Sequence, residues 1–273
     1  MTFREAIERL QHDETLSLVE VRTILDSIRD KIVAPIVDLD DKYYVYRGVD
    51  YFTDPNQIQC SNDLYYPPAA KITTFGRANL PENPMFYGIL PTQETSQNIC
   101  ACLIECSSKL RNSLSEGIFQ ACISRWQIKQ GEKISLFCII NPEKGQQKTP
   151  FLSGLNSDYE DFTRTVEKVI SYEDNILLHK FLYEQFNNEG SERNYWISAI
   201  ISSNLIKAGI DGILYESVQG EKIGFNNTIC VAISPLVADS KLEFLDYVFV
   251  RSNYYFPDSE NRLQINIGAP SHF

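Results

Sequence analysis

Apolar residues recur at spacings of three and four near the start of the chain, which places them along one side of a helix. The members of this stripe are Leu18, Val21, Leu25, Ile28 and Ile32. Ser17 and Glu20 stand at its beginning with the spacing of a capping box. The pattern predicts a helical N-terminal extension over residues 1–40 that packs on the rest of the chain.

Beyond residue 40 the pattern changes to a mixture of strands and helices. Aromatic and β-branched residues predict strands at 43–47, 85–87, 134–140, 213–215, 228–233, 242–250 and 263–267. Helical spacing predicts helices at 92–114, 158–188 and 195–208. Because the strands cluster late and do not alternate regularly with helices, the order favours an α+β fold over a doubly wound parallel sheet. We expect residues 41–273 to form one domain.

Composition narrows the classes of function. The chain has 273 residues, of which 43% are hydrophobic, and its formal net charge is −11. This charge repels nucleic-acid phosphates on average, so we expect no general DNA or RNA binding. No apolar run approaches bilayer length, and the first ten residues carry four charged side chains where a signal peptide has an apolar core. We therefore expect a cytoplasmic protein without a membrane partner.

Seven cysteines raise the question of a disulfide framework or a zinc site. Four of them are close in sequence: Cys100, Cys102, Cys106 and Cys122. They contain no CxxC pair, and the three histidines of the chain lie far from them in sequence. Since cytosolic thiols stay reduced, we predict that these cysteines are small apolar core residues and that the protein binds no metal.

Several short stretches carry residues suited to binding a dinucleotide. They are Tyr46-Arg47-Gly48, Gly76-Arg77-Ala78-Asn79, Phe86-Tyr87-Gly88 and Asp211-Gly212-Ile213-Leu214-Tyr215-Glu216-Ser217. An arginine fork binds phosphate oxygens bidentately, and a tyrosine ring stacks on flat groups. A glutamate beside a ribose stabilises the positive charge that develops as a glycosidic bond breaks, and a serine hydroxyl bonds a ribose hydroxyl or an amide. Each stretch alone is also typical of an ordinary turn or core edge.

Taken in order, these stretches resemble the RES family, which is named for its arginine, glutamate and serine. The resemblance extends over residues 43–235. It implies a fold similar to ADP-ribosyltransferases and diphtheria-type toxins, with a split β-sheet core surrounded by helices. Many members are bacterial toxins that degrade NAD⁺ by hydrolysis or phosphorolysis, and some transfer ADP-ribose to a protein. Many are silenced by a neighbouring antitoxin, and members often self-associate.

The resemblance also implies roles for individual residues. It assigns phosphate binding to Arg47 and Arg77, stacking on the nicotinamide side to Tyr87, and hydrogen bonding of ribose or amide to Ser217. In this chain Glu216 precedes that serine where the family more often has proline. Two further candidate substrate contacts lie in these motifs, Tyr46 and Asn79. A third candidate is Asn227, just before the predicted strand 228–233, where the family often has an asparagine and where a role in a turn is at least as well supported.

The glutamate is where this chain departs from the family pattern. The position eleven residues after Tyr87 is Asn98. Glu105 lies two helical turns further on, about 10 Å away on the same helix face. We predict Glu105 as the catalytic acid, with Glu94 as the second choice. The alternative is that the helix has lost its acid.

The sequence thus predicts an enzyme that cleaves NAD⁺ and releases nicotinamide, acting as a toxin or effector. Arg47, Tyr87 and Glu105 are its predicted catalytic residues. NAD⁺ is then a substrate, and no cofactor is expected. An antitoxin or immunity protein and a second copy of the chain are the other partners that the resemblance suggests. Two alternatives remain open, a protein ADP-ribosyltransferase and a RES-like binding domain without activity.

Overall fold

A computed structural model shows an α+β fold, which confirms the predicted fold class. The structure describes residues 1–50, 58–91, 95–107, 117–142, 161–217, 219, 228–255 and 262–267. Within these ranges, no helix combines the length and the apolar character needed to cross a membrane. The split-sheet arrangement of the ADP-ribosyltransferases remains a prediction.

The described part of the chain contains the following helices and strands. The helices are α1 (Phe3–His12), α2 (Leu18–Ile28), α3 (Thr95–Cys106), α4 (Tyr172–Asn187), α5 (Trp196–Lys207) and α6 (Pro235–Lys241). The strands are β1 (Ile36–Leu39), β2 (Tyr44–Asp50), β3 (Phe86–Leu90), β4 (Gly117–Ile128), β5 (Ile134–Cys138), β6 (Gly212–Glu216), β7 (Ile229–Ile233), β8 (Leu242–Tyr255) and β9 (Arg262–Ile267). The prediction of helix over residues 1–40 was wrong for residues 36–39, which form β1 by pairing beside β5. The sequence pattern did not predict β4 or α6.

The chain divides into two compact units, each assembled from separate segments. Unit 1 comprises Met1–Asp38, Pro68–Met85 and Ser135–Glu216. Unit 2 comprises Leu39–Pro67, Phe86–Ile134 and Ser217–Phe273. A boundary near residue 40 between an extension and a single domain stays a prediction.

Unit 1 is mainly helical and includes the N-terminal segment. Ser17 and Glu20 form the predicted capping box at the start of α2, and Thr2 and Glu5 form a second one at the start of α1. The two helices bury apolar side chains such as Ile7 and pack against α4 and α5, with which they share this unit. Strands β5 and β6 run parallel, with β1 beside β5. The N-terminal helices therefore belong to the core of unit 1.

Unit 2 is built on six antiparallel strands in the order β7-β3-β2-β4-β8-β9. Helix α3 packs across β2, β3 and β4. A Cβ atom added at Gly48 would lie 2.9 Å from both the Cys102 carbonyl oxygen and the Cys106 Sγ atom. Only a glycine at this position lets α3 approach the sheet so closely. Gly48 thereby sets where the residues of α3 lie.

Strands β2 and β3 are joined less completely than their neighbours. They share a single aligned pair, Tyr46 with Ile89. By contrast, β2 aligns with β4 over seven pairs and β3 aligns with β7 over five. We call the stretch where residues 47–50 of β2 run beside residues 86–88 of β3 the β2–β3 opening.

Candidate functional site

Glu105 and Ser217 meet in unit 2, although 112 residues separate them in the chain. Ser217 Oγ donates a hydrogen bond to Glu105 Oε1. The backbone N–H of Ser217 also donates to the carbonyl of Thr228, at 2.9 Å, which holds the serine beside the start of β7. Ser217 is buried, whereas Glu105 is partly exposed. The acid is thus held by a buried hydroxyl while part of it stays accessible from solvent.

The packing of α3 determines which of its side chains lies beside Ser217. Asn98, which occupies the place of the family glutamate, is buried, with 3% of its surface exposed. Glu105 lies two turns closer to the C-terminal end of α3, beside the cysteines that rest on Gly48. Glu94 lies outside the described residues. Of the two glutamates, the structure therefore shows Glu105 in contact with the predicted serine.

A buried cysteine of α3, Cys102, lies near this acid. Burial raises the pKa of the Cys102 thiol well above its usual range, and the nearby Cys106 and Glu105 raise it further, while the Arg47 charge lowers it. All seven cysteines of the chain lie within the described residues as free thiols. Cys102 therefore acts as a neutral core residue next to Glu105.

Arg47 is bound by the protein backbone. Its Nε atom donates to the carbonyls of Leu64 and Tyr65, at 3.2 and 3.3 Å, and Nη1 donates to the carbonyl of Tyr87, at 2.7 Å. The guanidinium also lies 5.4 Å from the centre of the Phe86 ring. Burial lowers the pKa of Arg47 to about 10, which leaves the group charged near neutral pH.

The bond from Arg47 to Tyr87 lies at the β2–β3 opening. A carbonyl facing a neighbouring strand needs a donor, because an unpaired buried carbonyl costs free energy. Arg47 supplies that donor for Tyr87 where the two strands share no further aligned pair. The arginine therefore fixes the backbone that carries the tyrosine predicted to stack on nicotinamide.

The two faces of β2 carry different groups. Gly48 faces α3, and side chains two residues apart share a face, so Tyr46 lies on that face as well. Arg47 lies on the opposite face with Phe86. Burial raises the pKa of Tyr46, whose hydroxyl is hydrogen-bonded to Arg125. Tyr46 and Arg125 are aligned partners on β2 and β4.

Unit 1 contains the other predicted arginine. Arg77 Nη2 donates to the carbonyl of Asn188 at 3.4 Å, and its guanidinium lies 5.6 Å from the Tyr215 ring and 5.9 Å from the Tyr195 ring. The aromatic rings hold the planar guanidinium in one orientation. Arg77 is thus placed between two tyrosines of its own unit.

Asn79 shapes the loop that carries Arg77. Its Nδ2 atom donates to the carbonyls of Thr74 and Leu80, and its own carbonyl accepts a bond from the Gly76 N–H. Only 8% of Asn79 is exposed. Its side-chain bonds stabilise the turn, while its predicted substrate contact stays a prediction. Asn227 lies outside the described residues.

Arg125 is the residue on this face that motif analysis did not single out. Nothing in the stretch around it resembles a family motif, and β4 was not predicted as a strand. The available signal was apolar residues at every second position before Arg125, namely Phe119, Ala121 and Ile123. Had β4 been predicted as a strand, this two-residue spacing would have placed Arg125 on the same face as those three residues.

In the ranges that the structure describes, no three side chains of histidine, cysteine, aspartate or glutamate converge to hold a metal ion. Comparisons of the chain with protein-family models, with curated proteins and with solved structures find no match.

Proposed function

We propose that the protein cleaves the bond between nicotinamide and ribose in NAD⁺, with Glu105 as the catalytic carboxylate. The observation that carries the proposal is the hydrogen bond from Ser217 to Glu105. The RES resemblance expects an acid and a serine at the scissile bond, and these two side chains come together from distant parts of the chain. The contact also supports Glu105 as the acid of a helix that has Asn98 at the family position.

The chemistry follows from the charge that develops during cleavage. When the C–N bond breaks, its electron pair goes to the nicotinamide nitrogen, and positive charge builds on the ribose. A carboxylate beside C1′ stabilises that charge or accepts a proton from an attacking water. With phosphate as the nucleophile, a phosphate oxygen bonds to C1′ instead. Ser217 orients the Glu105 carboxylate for either reaction.

Tyr87 completes the proposed binding site in unit 2. Tyr87 is partly exposed on β3 and would stack on the nicotinamide ring. The resemblance assigns phosphate binding to Arg47 and Arg77. The Nε and Nη1 atoms of Arg47 are bonded to carbonyls, so in this site Arg47 holds the backbone of Tyr87, and phosphate binding by Arg47 stays a prediction of the resemblance. The β2–β3 opening supports a split-sheet fold of the ADP-ribosyltransferase type as part of this proposal.

The test is release of nicotinamide from NAD⁺ by the purified full chain, with and without phosphate. Glu105→Gln keeps the shape of the side chain and removes its charge, so kcat should fall by about 10²–10³-fold. Glu132→Gln, at an exposed glutamate of the same unit, is the matched control and should leave kcat unchanged. Dependence on phosphate would distinguish phosphorolysis from hydrolysis.

Two outcomes would contradict the proposal. Wild-type release of nicotinamide that Glu105→Gln leaves intact would exclude Glu105 as the catalytic acid. Binding of NAD⁺ without any release of nicotinamide would indicate a binding domain without activity. The buried Asn98 at the position of the family acid is the observation that favours this alternative. If ADP-ribose instead became attached to added proteins, detected by mass spectrometry, the same site would be a transferase site.

A further inference from the structure

We propose that Arg125 is the arginine of unit 2 that binds the substrate phosphates, and that Asp246 competes with them for it. The inference rests on the proposed function, because it concerns the same substrate. It concerns a residue that the family motifs do not include. Three observations carry it: the engagement of Arg47, the face of the sheet on which Arg125 lies, and the exposure of its side chain.

The first observation is that Arg47 is largely occupied. Three backbone carbonyls accept hydrogen bonds from its Nε and Nη1 atoms. A phosphate that displaced these bonds would leave the carbonyls of Leu64, Tyr65 and Tyr87 without a donor. Arg47 is therefore poorly suited to a reversible phosphate grip, and unit 2 needs another cation for that task.

The second observation is the register of the sheet. Arg125 on β4 is aligned with Tyr46 on β2, so the two side chains lie on the same face. That face is the one on which α3 rests at Gly48. Tyr46 also lies near Cys102 of α3, which in turn lies near Glu105. Arg125 thus belongs to the same face of unit 2 as the acid.

The third observation is that Arg125 is partly exposed and already holds an anion. Its Nη2 atom forms a salt bridge with Asp246, and 38% of the Arg125 side chain is exposed, against 15% for Asp246. The guanidinium lies 5.6 Å from the Tyr44 ring. Burial lowers the pKa of Arg125, but the hydrogen bond and charge of Asp246 outweigh it and raise the pKa overall. The guanidinium is therefore permanently charged and oriented by an aromatic ring.

A carboxylate in this position acts as an internal competitor. A phosphate oxygen and the Asp246 carboxylate seek the same charge-assisted hydrogen bonds from one guanidinium. Removing the arginine weakens substrate binding, whereas removing the Asp246 charge strengthens it. A salt bridge with a purely structural role makes a different prediction, because loss of either partner then has the same consequence.

The experiment measures KM and kcat for NAD⁺ in wild type, Arg125→Gln and Asp246→Asn. We expect about a tenfold or larger increase in KM for Arg125→Gln, from the loss of a charged hydrogen bond. Asp246→Asn should lower KM several-fold. In both variants kcat should change by less than about twofold, because neither residue touches the bond that breaks. Arg125→Lys should restore part of the lost affinity, since lysine keeps the charge but not the fork.

An unchanged KM in Arg125→Gln, or an increased KM in both variants, would overturn the inference. If wild type released no nicotinamide at all, the proposed function would fail on its own. Calorimetry with inorganic pyrophosphate would then decide the role of Arg125. Weaker pyrophosphate binding by Arg125→Gln and stronger binding by Asp246→Asn would support that role, and equal binding by all three proteins would exclude it.

Discussion

The two faces of β2 give neighbouring residues opposite surroundings. On one face, Arg47 lies against Phe86 and is bonded to three backbone carbonyls. On the other face, Tyr46 lies beside Arg125 in the register, and α3 brings Glu105 to Ser217. The first face is closed by aromatic side chains, including Tyr65 and Phe86, whose ring centres are 5.5 Å apart. The second is partly open to solvent.

This difference teaches what a charge does in each place. An arginine that is enclosed and bonded to carbonyls holds the backbone in place. Replacing that arginine removes the hydrogen-bond donor from those carbonyls. Where an arginine is partly exposed and paired with one carboxylate, the pair contributes little to stability and stays available to a ligand. A sequence motif identifies a candidate arginine, but the face of the sheet on which that arginine lies determines its role.

The largest expected effect is at Arg47. Arg47→Met should lower the free energy of unfolding by about 3–5 kcal/mol, because three backbone carbonyls lose the donor that the buried guanidinium supplies. Arg47→Lys is the control. The single lysine Nζ atom restores the charge but not all three hydrogen bonds, so we expect an intermediate loss in the free energy of unfolding. Denaturant unfolding measures both. A loss below about 1 kcal/mol for Arg47→Met would mean that the closed face does not depend on this arginine.

A second prediction uses a buried group of unit 1 that stays neutral. Burial lowers the pKa of His179 to about 4, although its hydrogen bond with the Val33 carbonyl raises it slightly. The unfolded chain takes up a proton near pH 6.5 and the folded protein does not, so this contribution to stability is present above pH 6.5 and is lost as the pH falls towards 4. The loss amounts to about 3 kcal/mol.

Unfolding measured at pH 7, 5.5 and 4 tests this prediction against His179→Gln, which cannot titrate. The wild type should lose about 3 kcal/mol more than the variant over this range. Parallel pH curves for the two proteins would refute it. His179 and Arg47 respond differently to burial. The histidine is a weak base with one acceptor and becomes neutral, whereas the arginine is a strong base with three acceptors and stays charged.

The third prediction concerns Gly48, the glycine of β2 against which α3 packs. Gly48→Ala places a Cβ atom 2.9 Å from the Cys102 carbonyl oxygen and the Cys106 Sγ atom, so α3 must shift. We expect about 1–3 kcal/mol of destabilisation, together with a fall in nicotinamide release as Glu105 moves. In a Cys106→Ala background most of the penalty should remain, because the Cys102 carbonyl oxygen still lies 2.9 Å from the added Cβ atom. Full recovery there would show that the sulfur alone limits the approach of α3.

The smallest effect on stability is expected at Arg125. Arg125→Gln removes a partly exposed salt bridge with Asp246, so the free energy of unfolding should change by less than about 1 kcal/mol. Thermal or denaturant unfolding beside Arg47→Met makes the comparison direct. A loss as large as that of Arg47→Met would erase the distinction between the two faces of the sheet.

Local patterns predicted the elements whose signals are contained in a few residues. Helix α2 begins at the predicted capping box of Ser17 and Glu20. The α+β class followed from the order of strands and helices. Strand β4 was missed because polar residues such as Gln120 and Ser124 interrupt its apolar run, and pairing with both β2 and β8 stabilises it. Pairing of this kind depends on residues far away in the sequence.

The sequence by itself determined the helices of the N-terminal segment and the α+β fold class, and it supplied the candidate residues for the proposed dinucleotide site. These follow from periodicity, capping and side-chain chemistry, which act over a few residues. Only the tertiary structure decided that Glu105 meets Ser217, that Arg47 is bonded to the backbone, and that Arg125 shares a face with Tyr46. The reason is physical: strand register and helix packing bring distant residues together, and alternation gives adjacent residues opposite faces.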